Sequence, residues 1–289
     1  MKDKALGALI GLAVGDALGA PLEFRRRDTL PRVVNMIGGG PFHLGPGDWT
    51  DDTSMAIAMA NAIIEDRELV GENVMRRFVD WFRNGAYSHN GRCFDIGHTT
   101  AHSLMAFEKT GLLMGGDKEG QGNGSLMRLA PIPIAFKSSR QACGYAAHYS
   151  SDLTHPNDVP GEICEVTAES MRLAIHQGAN KDQVLFGFER LSKKIGKWRE
   201  VPRQKIKSGG YVVDTIKASL WAIDSTNNFE DALILAVNLA GDSDTVGAVT
   251  GQIAGAIYGY DSIPKRWIDQ LAWHSYLCDI ASDLYELPL

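Results

Sequence analysis

The chain has 289 residues, 44% of them hydrophobic, and a formal net charge of −6. That is apolar material enough for a substantial buried core. The negative balance, with no run of Lys and Arg beyond the short EFRRRD, excludes broad attraction to phosphate backbones or anionic lipid and therefore non-specific nucleic-acid binding.

The N-terminus, MKDKALGALIGLAVGDALGA, imitates a secretory signal with its two lysines, apolar centre and small-residue end. Asp3 and Asp16 spoil that pattern, and the helical spacing of its apolar residues suits a folded core. It reads as too short and too polar-ended to span a bilayer, and no other segment approaches the roughly 20 apolar residues needed. Apolar residues then recur three and four apart over 53–64, 73–83, 99–107, 139–149, 160–177, 181–193, 211–223, 229–240, 245–258 and 264–285, after a first such run over 4–20. VPRQKIKSGGYVV alone tempts a strand assignment. Gly-rich connections near 36–48, 85–97 and 111–125 join these segments without a linker that would divide the chain. The expectation is one mostly α-helical domain over residues 1–289. Cys93, Cys143, Cys164 and Cys278 form no C-x-x-C pair, which argues against a zinc knuckle or disulfide framework and for a reducing, cytoplasmic setting.

Two segments share a glycine ridge. Gly7, Gly11, Gly15 and Gly19 stand four apart in the first, and Gly247, Gly251, Gly255 and Gly259 in one near the end. Each Gly inside a helix costs about 1 kcal/mol relative to Ala, so four on one face predict another backbone passing close by.

The acidic clusters raise a separate question. DWTDDTSMAIAMANAII crowds Thr50, Asp51, Asp52 and Thr53 ahead of a helical run, and NLAGDSDTVGAVTGQ repeats the arrangement with Asp242, Asp244 and Thr245. A helix start uses one capping side chain, and adjacent carboxylates repel unless a cation lies between them. Two helix starts converging with several oxygens suit a hard divalent cation such as Mg²⁺ or Mn²⁺. A competing imidazole site is weaker: His98 and His102 are four apart, but no H-e-x-x-H motif accompanies them. No P-loop, G-x-S-x-G or strand-borne G-x-G-x-x-G is present.

The stretches GALIGLAVGDALGAPLEF, WTDDTSMA, FDIGHTT, GNGSLMRLAPI, THPND, GGYVVDTI and NLAGDSDTVGAVTGQIAGAIYG occur in an order and spacing that resemble the ADP-ribosylglycohydrolase family, from about residue 4 to residue 268. Within it the motifs look most like the bacterial dinitrogenase reductase-activating branch, which acts on ADP-ribosylarginine. The resemblance implies an all-α, single compact orthogonal multi-helix domain with a metal cleft holding two divalent cations, Mg²⁺ or Mn²⁺. By motif, Thr50, Asp51, Asp52, Asp242, Asp244 and Thr245 would bind metal. Glu23 would lie near the metals, and Asp95 beside the scissile bond. The residues themselves leave plainer alternatives open, a surface glutamate for Glu23 and a helix-capping loop acid for Asp95.

Asn123, Gly124 and Ser125 offer a glycine-rich loop ahead of a helix, where backbone amides meet a pyrophosphate. His155 would touch phosphate or ribose, or else be a structural histidine, and Tyr211 would stack on or hydrogen-bond the nucleoside, or else be a core tyrosine. The loop SHNGRCFDIGHTTAHS departs from the branch it resembles and should face the modified protein. The expected partners are an ADP-ribosylated protein substrate and the ADP-ribose product, with no nucleic acid and no membrane span. The expected activity is hydrolysis of the bond between ADP-ribose and an arginine side chain. The alternatives are a hydrolase of another ADP-ribosyl acceptor or small conjugate, and a non-catalytic ADP-ribose or toxin-binding protein.

Overall fold

Helix α1 (Lys2–Gly19) is apolar on every side, a pattern stable only for a helix surrounded by others. The computed structural model describes residues 1–289 and places α1 at the centre of an all-helical fold. By length and composition Lys2–Leu22 does qualify as a membrane span, with a mean hydropathy of 1.7 over its best window, contrary to the reading of it as too short. Its surroundings answer the question, because 94% of that window is buried within the fold.

The later helices follow in order: α2 (Asp51–Asp66), α3 (Gly71–Asn84), α4 (His98–Thr110), α5 (Pro131–Ala135), α6 (Arg140–Asp152), α7 (Asp158–Gln177), α8 (Lys181–Gly187), α9 (Ser192–Ile195), α10 (Val212–Asp224), α11 (Phe229–Val237), α12 (Ser243–Tyr258), α13 (Lys265–Ile268) and α14 (His274–Glu286). There are no strands, only isolated bridges. The strand-like stretch 201–213 forms a short 3₁₀ turn at Arg203–Lys205 and one bridge from Tyr211 to Gly122. One continuous cluster of 83 buried hydrophobic residues runs through the helices.

Three elements differ from the periodicity. The run 181–193 breaks at Gly187, whose missing side chain makes room for the Ser170 hydroxyl of α7, and continues as a 3₁₀ turn before α9. The run 264–285 is two helices, because the backbone between them turns aside to a neighbouring loop. Ala272 N–H donates to Gly47 O (3.0 Å), and Trp49 Nε1 donates to Ala272 O (3.1 Å). Helix α5, sequence PIPIA, looks like a breaker, yet its first proline sits at the first helical position, where no amide is needed.

The two glycine ridges face each other. Gly7 lies against Gly255, Gly11 against Gly251 and Gly15 against Gly247, so α1 and α12 run antiparallel with backbones in contact. A Cβ on any of these six would come within 3.0 Å of the opposite backbone. The pairing fixes the C-terminal end of α1 beside the N-terminal end of α12, where the acids lie. Gly251→Ala should therefore reverse the usual helix preference. Propensity alone would add about 1 kcal/mol of stability, whereas overpacking here should remove about 3 kcal/mol, which a urea melt would read directly.

Candidate metal centre and cleft

Helix α2 begins at Thr50, whose side chain caps none of its own helix's amides. The cap comes from α1. The Asp16 carboxylate accepts from Thr50 N–H (2.9 Å), Thr53 N–H (3.1 Å), Thr50 Oγ1 (2.9 Å) and Thr53 Oγ1 (2.6 Å). Helix α12 is treated the same way. Asp242 at its start makes no side-chain cap, and Glu23, just past α1, accepts from Ser243 N–H (2.7 Å). The turns are pinned together as well, with Phe24 N–H donating to Gly241 O (2.7 Å) and Gly241 N–H to Arg25 O (3.0 Å). Both helix starts thus have amides met by an acid from elsewhere, which leaves Asp51, Asp52 and Asp242 with no capping duty and Asp244 with only the neighbouring Thr245 amide (2.8 Å).

Asp52, Asp242 and Asp244 converge with the two capping acids, while Asp51 belongs to neither group and lines the cleft beside them. One oxygen each from Asp16, Asp52 and Asp244, and one each from Glu23, Asp242 and Asp244, form two groups whose members lie within 4.8 Å of one another. Asp244 belongs to both. Asp52 Oδ1 is buried with no hydrogen-bond partner, and such an atom is costly unless something cationic meets it. Burial, then mutual repulsion, raises the proton affinities. Asp16 and Asp242 are each held at about 7 by burial and by the charge of Asp244. Glu23, Asp51 and Asp52 are pushed well above the carboxylate range, by burial first and then by the charges of Asp244, Asp95 and Asp16 respectively. No Lys or Arg lines the cleft to offset them. An acid cluster with an orphaned oxygen and no cationic side chain fits a metal ion supplying the missing positive charge.

The acids open into a cleft of about 490 Å³ whose walls include Glu23, Phe24, Asp51, Asp95, Thr100, Asn123, Gly124, Gly209, Gly210 and Thr245. Asp95 sits at φ 61°, a left-handed conformation that Asp tolerates better than most residues. It caps nothing, because α4 starts from Gly97 without a side-chain cap. Burial, then the charge of Asp244, lifts its carboxyl to about 10. The surface-glutamate alternative for Glu23 also fails, since that side chain is buried.

The glycine loop divides between cleft and core. Asn123 Nδ2 donates to Asp242 Oδ2 (2.7 Å), and Asn123 with Gly124 lines the cleft. Ser125 points the other way, accepting from Ser151 Oγ (2.7 Å) beside Cys164, so it faces the core rather than a ligand. His155 also differs from its expected place. It is buried behind the loop, with Nε2 facing the space that a side chain on Gly122 or Gly124 would fill. Arg128 donates to Thr154 Oγ1 (2.8 Å), which is in turn hydrogen-bonded to His155 Nδ1 (2.8 Å). Burial, then Arg128, depresses the ring to about 3, leaving it neutral. Tyr211 is 43% exposed at the start of α10, next to Gly210 on the cleft wall. His98 and His102 stack on each other at 6.3 Å on the exposed face of α4, with no carboxylate or thiol completing a ligand set.

The family model for ADP-ribosylglycohydrolase matches residues 1–288. The chain belongs to this family. It is 40% identical to ADP-ribosylarginine hydrolase Tri1 of Pseudomonas putida (strain GB-1), over 98% of this chain and 78% of that protein. It is 41% identical to the Tri1 of Serratia proteamaculans (strain 568), over 98% and 79%. Identity to ADP-ribosyl-[dinitrogen reductase] glycohydrolase of Rhodospirillum rubrum is 31%, over 93% of this chain and 90% of that one. A solved chain from an ADP-ribosylglycohydrolase-related protein complex superposes with a TM-score of 0.89 at 37% identity, covering 100% of this chain and 99% of that chain.

Motif reasoning missed three contributors to this ADP-ribosylglycohydrolase cleft. Asp16 registers in the sequence only as a charge interrupting an apolar helix, although a buried acid in such a helix signals a partner in wait. Arg128 is buried, donates to Gly124 O (2.9 Å), and lies 4.6 Å from the Phe78 ring centroid, so it holds the loop from behind. Phe24 has no polar atom to draw attention to it.

Proposed function

We propose that the protein removes ADP-ribose from ADP-ribosylated arginine side chains, hydrolysing the N-glycosidic bond between ribose C1 and a guanidinium nitrogen. The observation that carries this reading is the pair of remotely capped helix starts, which turn their own carboxylates toward one cleft in a chain of this family. The relatives named for arginine acceptors support the choice of acceptor.

Thr50, Asp51 and Asp52 from one side, and Asp242, Asp244 and Thr245 from the other, would hold two divalent cations, Mg²⁺ or Mn²⁺, with Glu23 beside the second group. Such ions, when bound, supply Lewis-acid polarisation of ribose hydroxyls and of water. The protein's own groups do the rest. Asp16 and Glu23 hold the two helix starts rigid, and Asn123 orients Asp242. The backbone amides around Gly124, Gly209 and Gly210 suit a pyrophosphate, and Tyr211 stands at the nucleoside side of the rim. Asp95 gives a proton to the departing nitrogen as the C1–N bond breaks. Arginine then leaves as a guanidinium, and the water that adds to C1 returns a proton to Asp95. The free thiols suit work in a reducing cytoplasm.

The test is incubation of the purified chain with peptides ADP-ribosylated on arginine, serine, glutamate or cysteine, with products weighed by mass spectrometry. Arginine-linked peptide should lose one ADP-ribose and regain unmodified arginine. A chelator should remove at least about 99% of that turnover, and Mn²⁺ or Mg²⁺ should restore it. Full turnover in a verified metal-free sample would refute the metal requirement, and release from serine alone would refute the acceptor.

A further inference from the structure

Phe24 directly follows the buried Glu23, yet its ring is 68% exposed and its backbone holds φ at 58°. A large aromatic in the left-handed region is strained. Its N–H is tied to Gly241 O, so the conformation is imposed by the joint between the turns leading into α12. Phe24 stands edge-on to Phe42 with centroids 6.3 Å apart, and Phe42 packs on Phe94 at 5.3 Å. Phe94 immediately precedes Asp95. Three rings therefore connect the turn carrying Glu23 to the loop carrying Asp95, with Phe24 on the cleft wall and mostly uncovered.

Single exposed rings are ordinary, as Phe186 and Tyr145 show, but Phe24 is held in a strained conformation on the cleft wall, where a ligand can meet it. The chemistry beside it selects which. The lining supplies the carboxyl oxygens of Glu23 and Asp95 as acceptors and neither Lys nor Arg, whereas the amides suited to the pyrophosphate are those around Gly124, Gly209 and Gly210. A guanidinium is planar, cationic and weakly hydrated, and it stacks on aromatic faces while donating in its plane to carboxylates. Resting on the arginine-hydrolase reading, we propose that Phe24, braced by Phe42 and Phe94, is the acceptor-specificity residue, its ring stacking on the arginine guanidinium while ADP-ribose occupies the deeper cleft. Phe24 acts on the acceptor half of the substrate alone.

The experiment compares wild type with Phe24→Leu and Phe24→Trp in the metal-loaded protein. Leu keeps apolar bulk without a π face, whereas Trp offers the strongest one. Phe24→Leu should lower kcat/KM for an arginine-ADP-ribosylated peptide about tenfold, mostly through KM, while ADP-ribose affinity by calorimetry stays within about twofold. Phe24→Trp should retain wild-type kcat/KM. An unchanged kcat/KM in Phe24→Leu overturns the proposal. So does a parallel loss of ADP-ribose affinity, which would put the ring against the nucleotide instead.

Inertness of the wild-type protein toward arginine-linked peptide would be a failure of the underlying reading alone. Binding of arginine amide and its uncharged isostere citrulline amide to the ADP-ribose-loaded protein then decides the matter without turnover. Arginine amide should bind better by about fivefold, and Phe24→Leu should erase the advantage. No advantage, or one that survives in Phe24→Leu, overturns the assignment.

Discussion

Asp244→Asn should abolish metal-dependent turnover while leaving the metal-free protein at least as stable as wild type. Asp244 is the carboxylate common to both ligand groups, and its charge raises the proton affinity of Asp16, Glu23, Asp52, Asp95 and Asp242. Asparagine keeps the oxygen that accepts from Thr245 N–H (2.8 Å), and the start of α12 is held by Glu23 in either case. The substitution therefore removes charge without removing a cap. Without metal, one fewer negative charge in a crowded low-dielectric site should add about 1 kcal/mol of stability. With metal, wild type should gain about 2.7 kcal/mol at a hundredfold excess over Kd, and the variant should gain less than a third of that. Turnover should fall by at least about 10²-fold. Melts in chelator and in Mn²⁺, run beside a peptide assay, separate the effects. A wild-type metal-induced shift in the variant would remove Asp244 from the metal centre, and a less stable metal-free variant would make it a structural acid.

The parts of this fold that were legible in the sequence are those written in spacing along one helix. Glycines four apart predict a close backbone on one ridge, and Gly7, Gly11 and Gly15 meet Gly255, Gly251 and Gly247. Acids in excess of one cap predict a use other than capping, and the carboxylates do converge. What stayed hidden depends on which element lies opposite. Nothing local indicates that Asp16 caps a helix 35 residues further on or that Glu23 caps one 220 residues away. Neighbours in a tight turn diverge for the same reason. Asn123 and Gly124 face the cleft, whereas Ser125, one residue later, faces α6 and α7. His155 sits in a motif of the family, but its work is to fill the space behind the glycine loop as a neutral ring. The break at 269–273 arises from hydrogen bonds to residues 47 and 49, which no periodicity in the segment can express.

Asp95→Asn should cost about 10² to 10⁴ in kcat while preserving metal loading and ADP-ribose affinity. Asparagine occupies the left-handed region as readily as aspartate, so the φ of 61° is kept. Helix α4 starts from Gly97 and loses no cap. The change thus isolates the exchangeable proton. Wild-type turnover should decline on the alkaline side as Asp95 loses the proton it delivers, burial raising its carboxyl above the ordinary value. The variant should lack that limb and run at a low, flat rate. A peptide whose acceptor is already a good leaving group should rescue much of the loss, since protonation of the departing nitrogen matters less there. A structural role for Asp95 would look different, with a lower melting temperature, residual activity in proportion to folded protein, and the alkaline limb intact. Wild-type turnover in the folded variant would move proton transfer to Glu23, another raised acid on the cleft wall. Asp95 caps neither α2 nor α12, whose starts are held by Asp16 and Glu23, so proton exchange at Asp95 leaves both helix starts as they are.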